Sequence, residues 1–179
     1  MSERVGWHDP APGTGGAETA AAPGGVVVWF TGLPSAGKST LAEKVRAALR
    51  AEGRMAVRLD GDEVRGSLVP TPGHWPSERD AFYETLARLA ALLARQGVVV
   101  LVAATAHRRA HRDRARQLAP RFVEVYLATP LAECERRDAK GLYALARAGK
   151  APLLPGVGIA YEVPERAEVV VEDGLADPV

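Results

Sequence analysis

The chain has 179 residues, of which 47% are apolar and 25% charged, as is typical of one globular domain with a sizeable core. Its 23 basic residues are balanced by 22 acidic ones, and a formal net charge of +1 argues against a protein that holds nucleic acid by overall charge. The longest apolar run, residues 98–104, is too short to cross a bilayer, and a single cysteine with no secretory pattern at the N-terminus predicts a cytoplasmic protein.

Short apolar runs alternate with amphipathic segments along most of the chain. Residues 1–25 are rich in Gly, Ala, Pro and Thr, and we predict a disordered arm there, followed by one domain over 26–179. We predict strands at 26–31, 56–59, 98–104, 122–127 and 168–172, and helices at 39–52, 77–96, 107–118, 130–137 and 141–148. Ser77 is a candidate N-cap of the longest helix. This alternation predicts an α/β fold with a mainly parallel five-stranded sheet covered by helices on both faces.

The strongest motif lies between the first predicted strand and the first predicted helix. Residues 32–39, GLPSAGKS, match the pattern G-x-x-x-x-G-K-[ST]. Glycines let the backbone wrap around a phosphate with its N–H groups pointing inward, and the helix N-terminus adds partial positive charge. In this pattern Lys38 contacts the β- and γ-phosphates and the Ser39 hydroxyl ligates Mg²⁺. The predicted ATP-binding residues here are Gly32, Leu33, Pro34, Ser35, Ala36, Gly37, Lys38, Ser39 and Thr40.

Two carboxylates follow the second predicted strand. Asp60 and Asp62 stand in the sequence LDGDEVR, at the edge where open α/β sheets bind their ligands. A carboxylate there could hold Mg²⁺ through water or accept a proton from an acceptor hydroxyl, whereas the alternative is a helix N-terminus with favourable acidic residues. The phosphate loop one unit upstream favours the functional interpretation. Arg65, one turn further along, would then face an anionic substrate.

Five arginines and two histidines crowd into residues 103–116, AATAHRRAHRDRAR. In a helix that begins near residue 107, Arg109, Arg112 and Arg116 share one face. Arg109 alone is near enough to the strand end to reach a substrate phosphate or sulfate. We expect Arg114 to be solvated or paired with a nearby acid. The stretch is therefore predicted to be one substrate clamp followed by a charged helix surface.

Three smaller features have two interpretations each. His107 and His111 are spaced like metal ligands, but no third ligand is evident, so solvated helix histidines are favoured over a zinc site. Trp75 stands in a Pro-rich loop that either folds over a site or is anchored by a buried ring. Cys134 is more consistent with a small core residue than with a nucleophile.

Together these motifs resemble the adenylylsulfate kinase family, from about residue 26 to residue 164. The pieces that carry the resemblance are GLPSAGKSTLA, LDGDEVR, FVEVYLATPLAECERRDAKGLYALARAG and YEVP. The family uses ATP to phosphorylate the 3′-hydroxyl of adenosine 5′-phosphosulfate, so the resemblance implies a P-loop kinase with ATP, Mg²⁺ and a small anionic acceptor. It implies catalytic roles for Lys38, Asp60 and Asp62, with Ser39 and Asp60 at the metal. It places the substrate near Asp60, Arg65, Arg79, Arg109, Lys140, Gly141 and Leu142, and ATP under a mobile lid that carries Arg137.

The chain departs from the family where the substrate's adenine is bound. The family's F-S pair corresponds to His74 and Trp75, and the asparagine that follows its D-R pair corresponds to Phe82. The phenylalanine of K-G-F-T-G, which stacks on the adenine, corresponds to Leu154. Such a stack contributes about 1–3 kcal/mol per base, and His74 or Trp75 could supply a replacement ring. His74, Trp75 and Leu154 are therefore included among the candidate substrate residues.

The leading hypothesis is a kinase that converts adenosine 5′-phosphosulfate to 3′-phosphoadenosine 5′-phosphosulfate, as in sulfate assimilation. A first alternative is a P-loop kinase of another small-molecule hydroxyl, such as that of a sugar, a nucleoside or an antibiotic, which the changed aromatic positions favour. A second is a non-catalytic nucleotide-binding regulatory module. A kinase of nucleic-acid ends is disfavoured by the near-zero net charge. We expect no membrane partner, and the sequence leaves the oligomeric state open, a homodimer included.

Overall fold

The computed structural model describes residues 25–172, so the arm predicted at 1–25 lies outside the described residues except for Gly25. The elements in chain order are β1 (Val26–Thr31), α1 (Lys38–Ala51), β2 (Ala56–Asp60), α2 (Gly61–Ser67), α3 (Pro76–Arg95), β3 (Val99–Ala103), α4 (Arg109–Leu118), β4 (Phe122–Leu127), α5 (Leu131–Arg137), α6 (Leu142–Arg147) and β5 (Val169–Val171). None of the described helices is long and apolar enough to span a membrane.

One sheet organises the described residues, with its strands in the order β2-β3-β1-β4-β5 and every neighbouring pair parallel. The predicted α/β class and the five-stranded parallel sheet are therefore confirmed. In a parallel sheet the carboxyl ends of the strands meet at one edge. The loop after β1, the Asp60 carboxylate at the end of β2 and residues 104–108 after β3 all lie at that edge.

Apolar side chains fill both faces of the sheet because successive strand residues point to opposite sides. Trp29 and Val100 pack on the face covered by α3, in one core with Leu86. Phe30 and Leu101, one residue further along each strand, join the second core on the opposite face. All five residues of β3 are buried, as expected for a strand covered on both faces.

The start of α3 differs from the prediction. The N-cap is Trp75 rather than Ser77, and Pro76 occupies the first helical position, where its missing N–H costs nothing. Glu78 completes this start, because its Oε2 accepts a hydrogen bond of 3.0 Å from the Trp75 backbone N–H. The proline and the glutamate outweigh the capping tendency of the serine.

The start of α4 also differs, and the two histidines of the basic stretch are not solvated. Ala106 has φ +40°, outside the helical region, so the helix begins at Arg109 instead of residue 107. His111 is only 7% exposed because α4 packs against α3, and His107, two residues before the helix, is only 8% exposed, with its ring 5.6 Å from that of His111 between centroids. The His111 ring lies 4.5 Å from the Tyr83 ring between centroids. Across residues 25–172 no group of three His, Cys, Asp or Glu side chains is placed to hold a metal ion.

The arginines of the basic stretch are held by acids from other elements. Arg112 is 2% exposed, and its Nε lies 2.7 Å from Glu124 of β4, so it is a buried ion pair rather than part of a charged surface. Arg114 pairs with Glu84 of α3 at 2.9 Å. Most of the charge that suggested an anion-binding face is therefore neutralised within the fold.

Candidate active site

The phosphate loop connects β1 to α1 in a conformation that only glycine tolerates at two positions. Gly32 has φ +149°, and a Cβ there would lie 2.7 Å from the carbonyl oxygen of Leu127. Gly37, at the N-cap of α1, has φ +96°. The loop therefore approaches β4 closely and leads directly into the N-terminus of a 14-residue helix.

Two residues that the sequence analysis did not single out brace this loop from outside. Thr129, after β4, donates from its hydroxyl to the Ala36 carbonyl oxygen at 3.1 Å. Tyr143 of α6 donates to the Pro34 carbonyl oxygen at 2.9 Å. A threonine after a strand and a tyrosine in a short helix have no spacing that reveals such contacts, since both depend on the tertiary fold.

Lys38 lies inside the loop and is held by its backbone. The ammonium donates to the carbonyl oxygens of Leu33 at 2.7 Å and Gly32 at 3.2 Å. Desolvation lowers the pKa of Lys38 to about 8, although nearby acidic groups favour its charged form. Arg137, the last residue of α5, reaches the same loop, with its Nη1 3.8 Å from the point where a Cβ on Gly37 would sit. The structure therefore brings these two predicted ATP-binding cations together at the loop.

Ser39 and Asp60 meet at the start of α1, with 2.5 Å between the serine Oγ and the aspartate Oδ2. Asp60 also accepts the Asp62 backbone N–H at 3.0 Å, which caps α2, and a hydrogen bond of 3.1 Å from Arg58. Burial alone would raise the pKa of Asp60, but the hydrogen bonds from Ser39 and the backbone, with the charge of Arg58, outweigh it and lower the pKa. The carboxylate is therefore ionised beside a hydroxyl, and both present oxygen atoms.

Asp62 lies two residues further on and is accessible, with its side chain 70% exposed. Its Oδ2 accepts a hydrogen bond from Lys140, which raises the pKa of that lysine. Lys140 precedes Gly141, the N-cap of α6, and Leu142, the first residue of that helix, packs partly buried on the second core. The predicted stretch 140–142 thus reaches the edge of the sheet through Lys140.

Arg65 of α2 and Arg79 of α3, hereafter the arginine pair, are buried without a carboxylate partner. They are 9% and 7% exposed, and neither forms an ion pair within residues 25–172. Arg65 donates to the carbonyl oxygens of Pro72 and Gly73 at 3.1 and 2.6 Å. Burial lowers the pKa of both arginines, and the charge of Arg79 lowers that of Arg65 further. Two adjacent cations that are held only by neutral groups retain their charge for a ligand.

The loop between α2 and α3 is organised around the arginine pair. Arg79 donates to the His74 carbonyl oxygen at 2.7 Å and to that of Leu153 at 2.8 Å. The Glu78 carboxylate accepts the backbone N–H groups of Gly73 and Trp75 at 3.1 and 3.0 Å. Desolvation first, and then the charges of the two arginines, lower the pKa of the His74 imidazole. Glu78 is thus an organising residue that sequence reasoning did not identify.

Three other candidate substrate residues have different surroundings. Trp75 is 68% exposed at the start of α3, so its ring is not the buried anchor of the loop. Leu154 is 8% exposed and packs into the second core. Arg109 is 44% exposed, and its guanidinium is 2.7 Å from Glu165 and 3.9 Å from Glu162. Its charge is therefore compensated, in contrast to the arginine pair.

The YEVP segment crosses the carboxyl edge of the sheet. The hydroxyl groups of Tyr161 and Thr31 are 2.9 Å apart, and Thr31 is the last residue of β1 before the phosphate loop. The Glu162 backbone N–H donates to the His107 carbonyl oxygen at 2.8 Å, while Arg112 donates to the Glu162 carbonyl oxygen at 2.6 Å. The segment ties the ends of β1 and β3 to α4.

Comparison with known proteins agrees with this geometry. The sequence profile of the adenylylsulphate kinase family matches residues 24–172. The chain belongs to the adenylylsulfate kinase family. The adenylyl-sulfate kinase of Shewanella denitrificans is 44% identical over 154 residues, which are 85% of this chain and 75% of that protein. The adenylyl-sulfate kinase of Paraburkholderia xenovorans is 42% identical over 149 residues, 83% of each chain.

Among solved structures, the Mycobacterium tuberculosis APS kinase CysC in complex with AMPPNP and APS superposes with a TM-score of 0.79. It is 40% identical and covers 83% of this chain and 88% of its own. A shikimate kinase from Acinetobacter baumannii, at 17% identity and a TM-score of 0.54, shares only the fold. Membership of the adenylylsulfate kinase family favours a phosphotransferase over the non-catalytic module considered from sequence.

Proposed function

We propose that the protein transfers the γ-phosphoryl group of ATP to the 3′-hydroxyl of adenosine 5′-phosphosulfate, giving ADP and 3′-phosphoadenosine 5′-phosphosulfate. The observation that carries the proposal is the arginine pair, two buried cations without carboxylate partners. Burying charge is unfavourable unless something compensates it, and here a ligand with several negative oxygens would do so. Asp62, on the same helix as Arg65, acts electrostatically on it and places a carboxylate near the acceptor.

On the ATP side, the backbone N–H groups of residues 32–40 and the start of α1 surround the phosphates. Lys38 exchanges its two loop carbonyls for phosphate oxygens when ATP binds, and the charged form of the lysine is then favoured. Arg137, beside Gly37, covers the nucleotide from α5. These residues position the transferring group and stabilise the charge that develops on it.

Ser39 and Asp60 fit a Mg²⁺ ion, because a hydroxyl and an ionised carboxylate lie 2.5 Å apart and both offer the oxygen donors that this cation prefers. When bound, Mg²⁺ neutralises charge on the β- and γ-phosphates. Arg58 and the Asp62 backbone N–H hold the Asp60 carboxylate in place for this role. The remaining ligands would come from phosphate and water, since no three-residue metal cluster occurs in the part of the chain that the structure describes.

On the acceptor side, Asp62 orients the attacking hydroxyl and accepts its proton, for which its 70% exposure leaves room. Lys140 must then exchange its contact with Asp62 for contacts to the bound nucleotides, together with Gly141 and Leu142. Arg65 and Arg79 bind the phosphosulfate end of the acceptor.

The adenine end of the acceptor takes its ring contact from the loop before α3. We assign this contact to Trp75, whose ring is exposed, and which follows His74, the residue whose carbonyl oxygen accepts a hydrogen bond from Arg79. Leu154 supports the site from the core rather than stacking on the base. The same burial of Leu154 is the observation that favours the second candidate, a kinase of another small anionic alcohol.

Arg109 remains in the proposal as a substrate ligand that would have to leave Glu165. We therefore expect Arg109→Ala to lower acceptor affinity, whereas Arg114→Ala, which removes a pair with Glu84, should leave it unchanged. We also propose a cytoplasmic location, which the free thiol of Cys134 supports.

A coupled ADP-release assay with a panel of acceptors tests the substrate. The proposal predicts that adenosine 5′-phosphosulfate gives the highest kcat/KM among the phosphosulfate, adenosine 5′-phosphate, sugars and nucleosides. Turnover of a different alcohol without turnover of the phosphosulfate would reject the substrate and retain the kinase.

A further inference from the structure

The Phe82 ring on α3 contacts the charged end of Arg65. The guanidinium carbon of Arg65 lies 3.8 Å from the centroid of the ring, and Phe82 is 2% exposed. This distance is well within the range in which a cation is attracted to the negative face of an aromatic ring. The contact is therefore a buried cation–π pair and not only apolar packing.

The other contacts of Arg65 explain why its cation–π contact with Phe82 matters. Nη1 is engaged by the carbonyl oxygens of Pro72 and Gly73, while Nε and Nη2 make no hydrogen bond within residues 25–172. A guanidinium has five donors, so the donors left over are available to a ligand. A carboxylate in the place of Phe82 would hold Arg65 too, but it would cancel the charge that attracts an anion.

We propose that Phe82 is a positioning residue for the acceptor: its ring holds Arg65 in place without neutralising it, so that the guanidinium stays charged for the phosphosulfate. This inference rests on the proposed function, because it takes Arg65 as a ligand of the acceptor. Phe82 itself acts through Arg65 and need not touch the substrate.

A matched control exists in the same chain. The guanidinium carbon of Arg116 lies 4.8 Å from the ring of Phe122. Arg116 differs in being compensated, since it pairs with Glu168 at 2.5 Å and Glu124 at 3.4 Å. Phe122 begins β4 and so lies at the opposite end of the strand from the site.

The experiment replaces Phe82 with pentafluorophenylalanine, which keeps the shape of the ring and reverses the charge distribution on its face. A cation–π pair that is desolvated is strong enough that losing it should raise the KM for adenosine 5′-phosphosulfate about 10-fold or more. The KM for ATP and kcat should change by less than about 3-fold, because the phosphate loop is untouched. A separate variant, Phe82→Tyr, keeps an electron-rich ring face, and its acceptor KM should lie within about 3-fold of wild type. The fluorinated ring at Phe122 should leave all three constants unchanged.

The outcomes separate the two proposals. An unchanged acceptor KM in the fluorinated Phe82 enzyme, or an equal rise in the Phe122 control, would overturn the role of the ring while wild-type turnover upheld the function. Wild-type turnover of another alcohol but not of the phosphosulfate would overturn the proposed substrate. The role of the Phe82 ring would then be tested by comparing the KM for that alcohol in the fluorinated enzyme and in wild type. A wild-type enzyme that phosphorylates no acceptor would overturn both.

Discussion

Arg79→Met should separate activity from stability, because Arg79 is buried without a counter-ion. The guanidinium is 7% exposed and bonded only to the carbonyl oxygens of His74 and Leu153. Losing these two hydrogen bonds from a charged donor costs about 1.5–3 kcal/mol each, but removing a desolvated charge gives several kcal/mol back. Methionine replaces the aliphatic stem of the arginine and adapts to the remaining space, so the free energy of unfolding should change by less than about 1 kcal/mol.

The effect on activity should be much larger. A hydrogen bond between two charged groups contributes about 1.5–3 kcal/mol, which corresponds to a loss of about 10- to 150-fold in kcat/KM for adenosine 5′-phosphosulfate. The KM for ATP should stay within about 3-fold of wild type. Thermal unfolding without ligand and the coupled ADP-release assay measure the two quantities on the same preparation.

Arg112→Met is the matched control, since Arg112 is equally buried but paired. Its removal leaves Glu124, 8% exposed, with only a 3.4 Å contact to Arg116. Breaking a buried ion pair from one side should cost about 3 kcal/mol, or roughly 10 °C in the unfolding midpoint. Equal destabilisation by the two substitutions, or an Arg79→Met enzyme with an unchanged acceptor constant, would refute the view that Arg79 is kept for a ligand.

Three further substitutions test other parts of the account. Lys38→Met should lower kcat at least about 100-fold while the unfolding midpoint moves by no more than about 2 °C, since Nζ contacts only loop carbonyls; a near-normal kcat would contradict its role at the phosphates. Asp62→Asn should lower kcat about 10²- to 10⁴-fold with little change in the KM for ATP. If Asp62 served only the nucleotide, stopped assays over a range of ATP concentrations would instead show a raised KM for ATP and a nearly unchanged kcat. His107→Asn should abolish the decrease in the free energy of unfolding that wild type shows at acid pH. Burial, followed by the charges of Arg79 and His111, lowers the pKa of His107 from 6.5 to about 4. As the pH falls, the unfolded chain therefore binds the proton before the folded chain does, and the free energy of unfolding of wild type should decrease by about 2 kcal/mol between pH 7.5 and pH 5. Denaturant unfolding at both pH values measures this loss, and an equal loss in the variant would place its origin elsewhere.

Much of the sheet and the phosphate loop can be predicted from local sequence, because both are specified by local patterns. The β1 run, Val26–Thr31, is apolar and β-branched up to Gly32, and the β4 bounds, Phe122–Leu127, agree with the prediction. The seven apolar residues at 98–104 contain β3, which extends over Val99–Ala103. A strand that is covered on both faces and a glycine-rich turn leave a signal within the segment itself.

The packing of α4 could not be predicted from its own residues. Its sequence, RAHRDRARQL, is strongly polar, yet His111, Arg112 and Ala115 are all buried. What buries them lies elsewhere in the chain: Asp80 and Tyr83 on α3 and Glu124 on β4. A long-range partner of this kind leaves no periodicity in the helix, and the histidines were for that reason expected to be solvated.

The acceptor site shows the same limit. LDGDEVR correctly indicated that Asp60 and Asp62 lie at the carboxyl edge of the sheet. Whether Arg65 and Arg79 were paired or free depended on the acids around them, and spacing alone does not reveal these. The role of Glu78, which accepts two backbone N–H groups of the preceding loop, depends in the same way on the conformation of that loop.

The most direct test of the proposed function is to identify the product. Wild-type enzyme is incubated with Mg²⁺, ATP and adenosine 5′-phosphosulfate, and the nucleotides are separated and identified by mass spectrometry and ³¹P NMR. We predict equal amounts of ADP and 3′-phosphoadenosine 5′-phosphosulfate, with both at least about 100-fold lower at early times in the Lys38→Met control. ADP without a phosphorylated phosphosulfate, or a phosphoryl group at a position other than the 3′-hydroxyl, would contradict it.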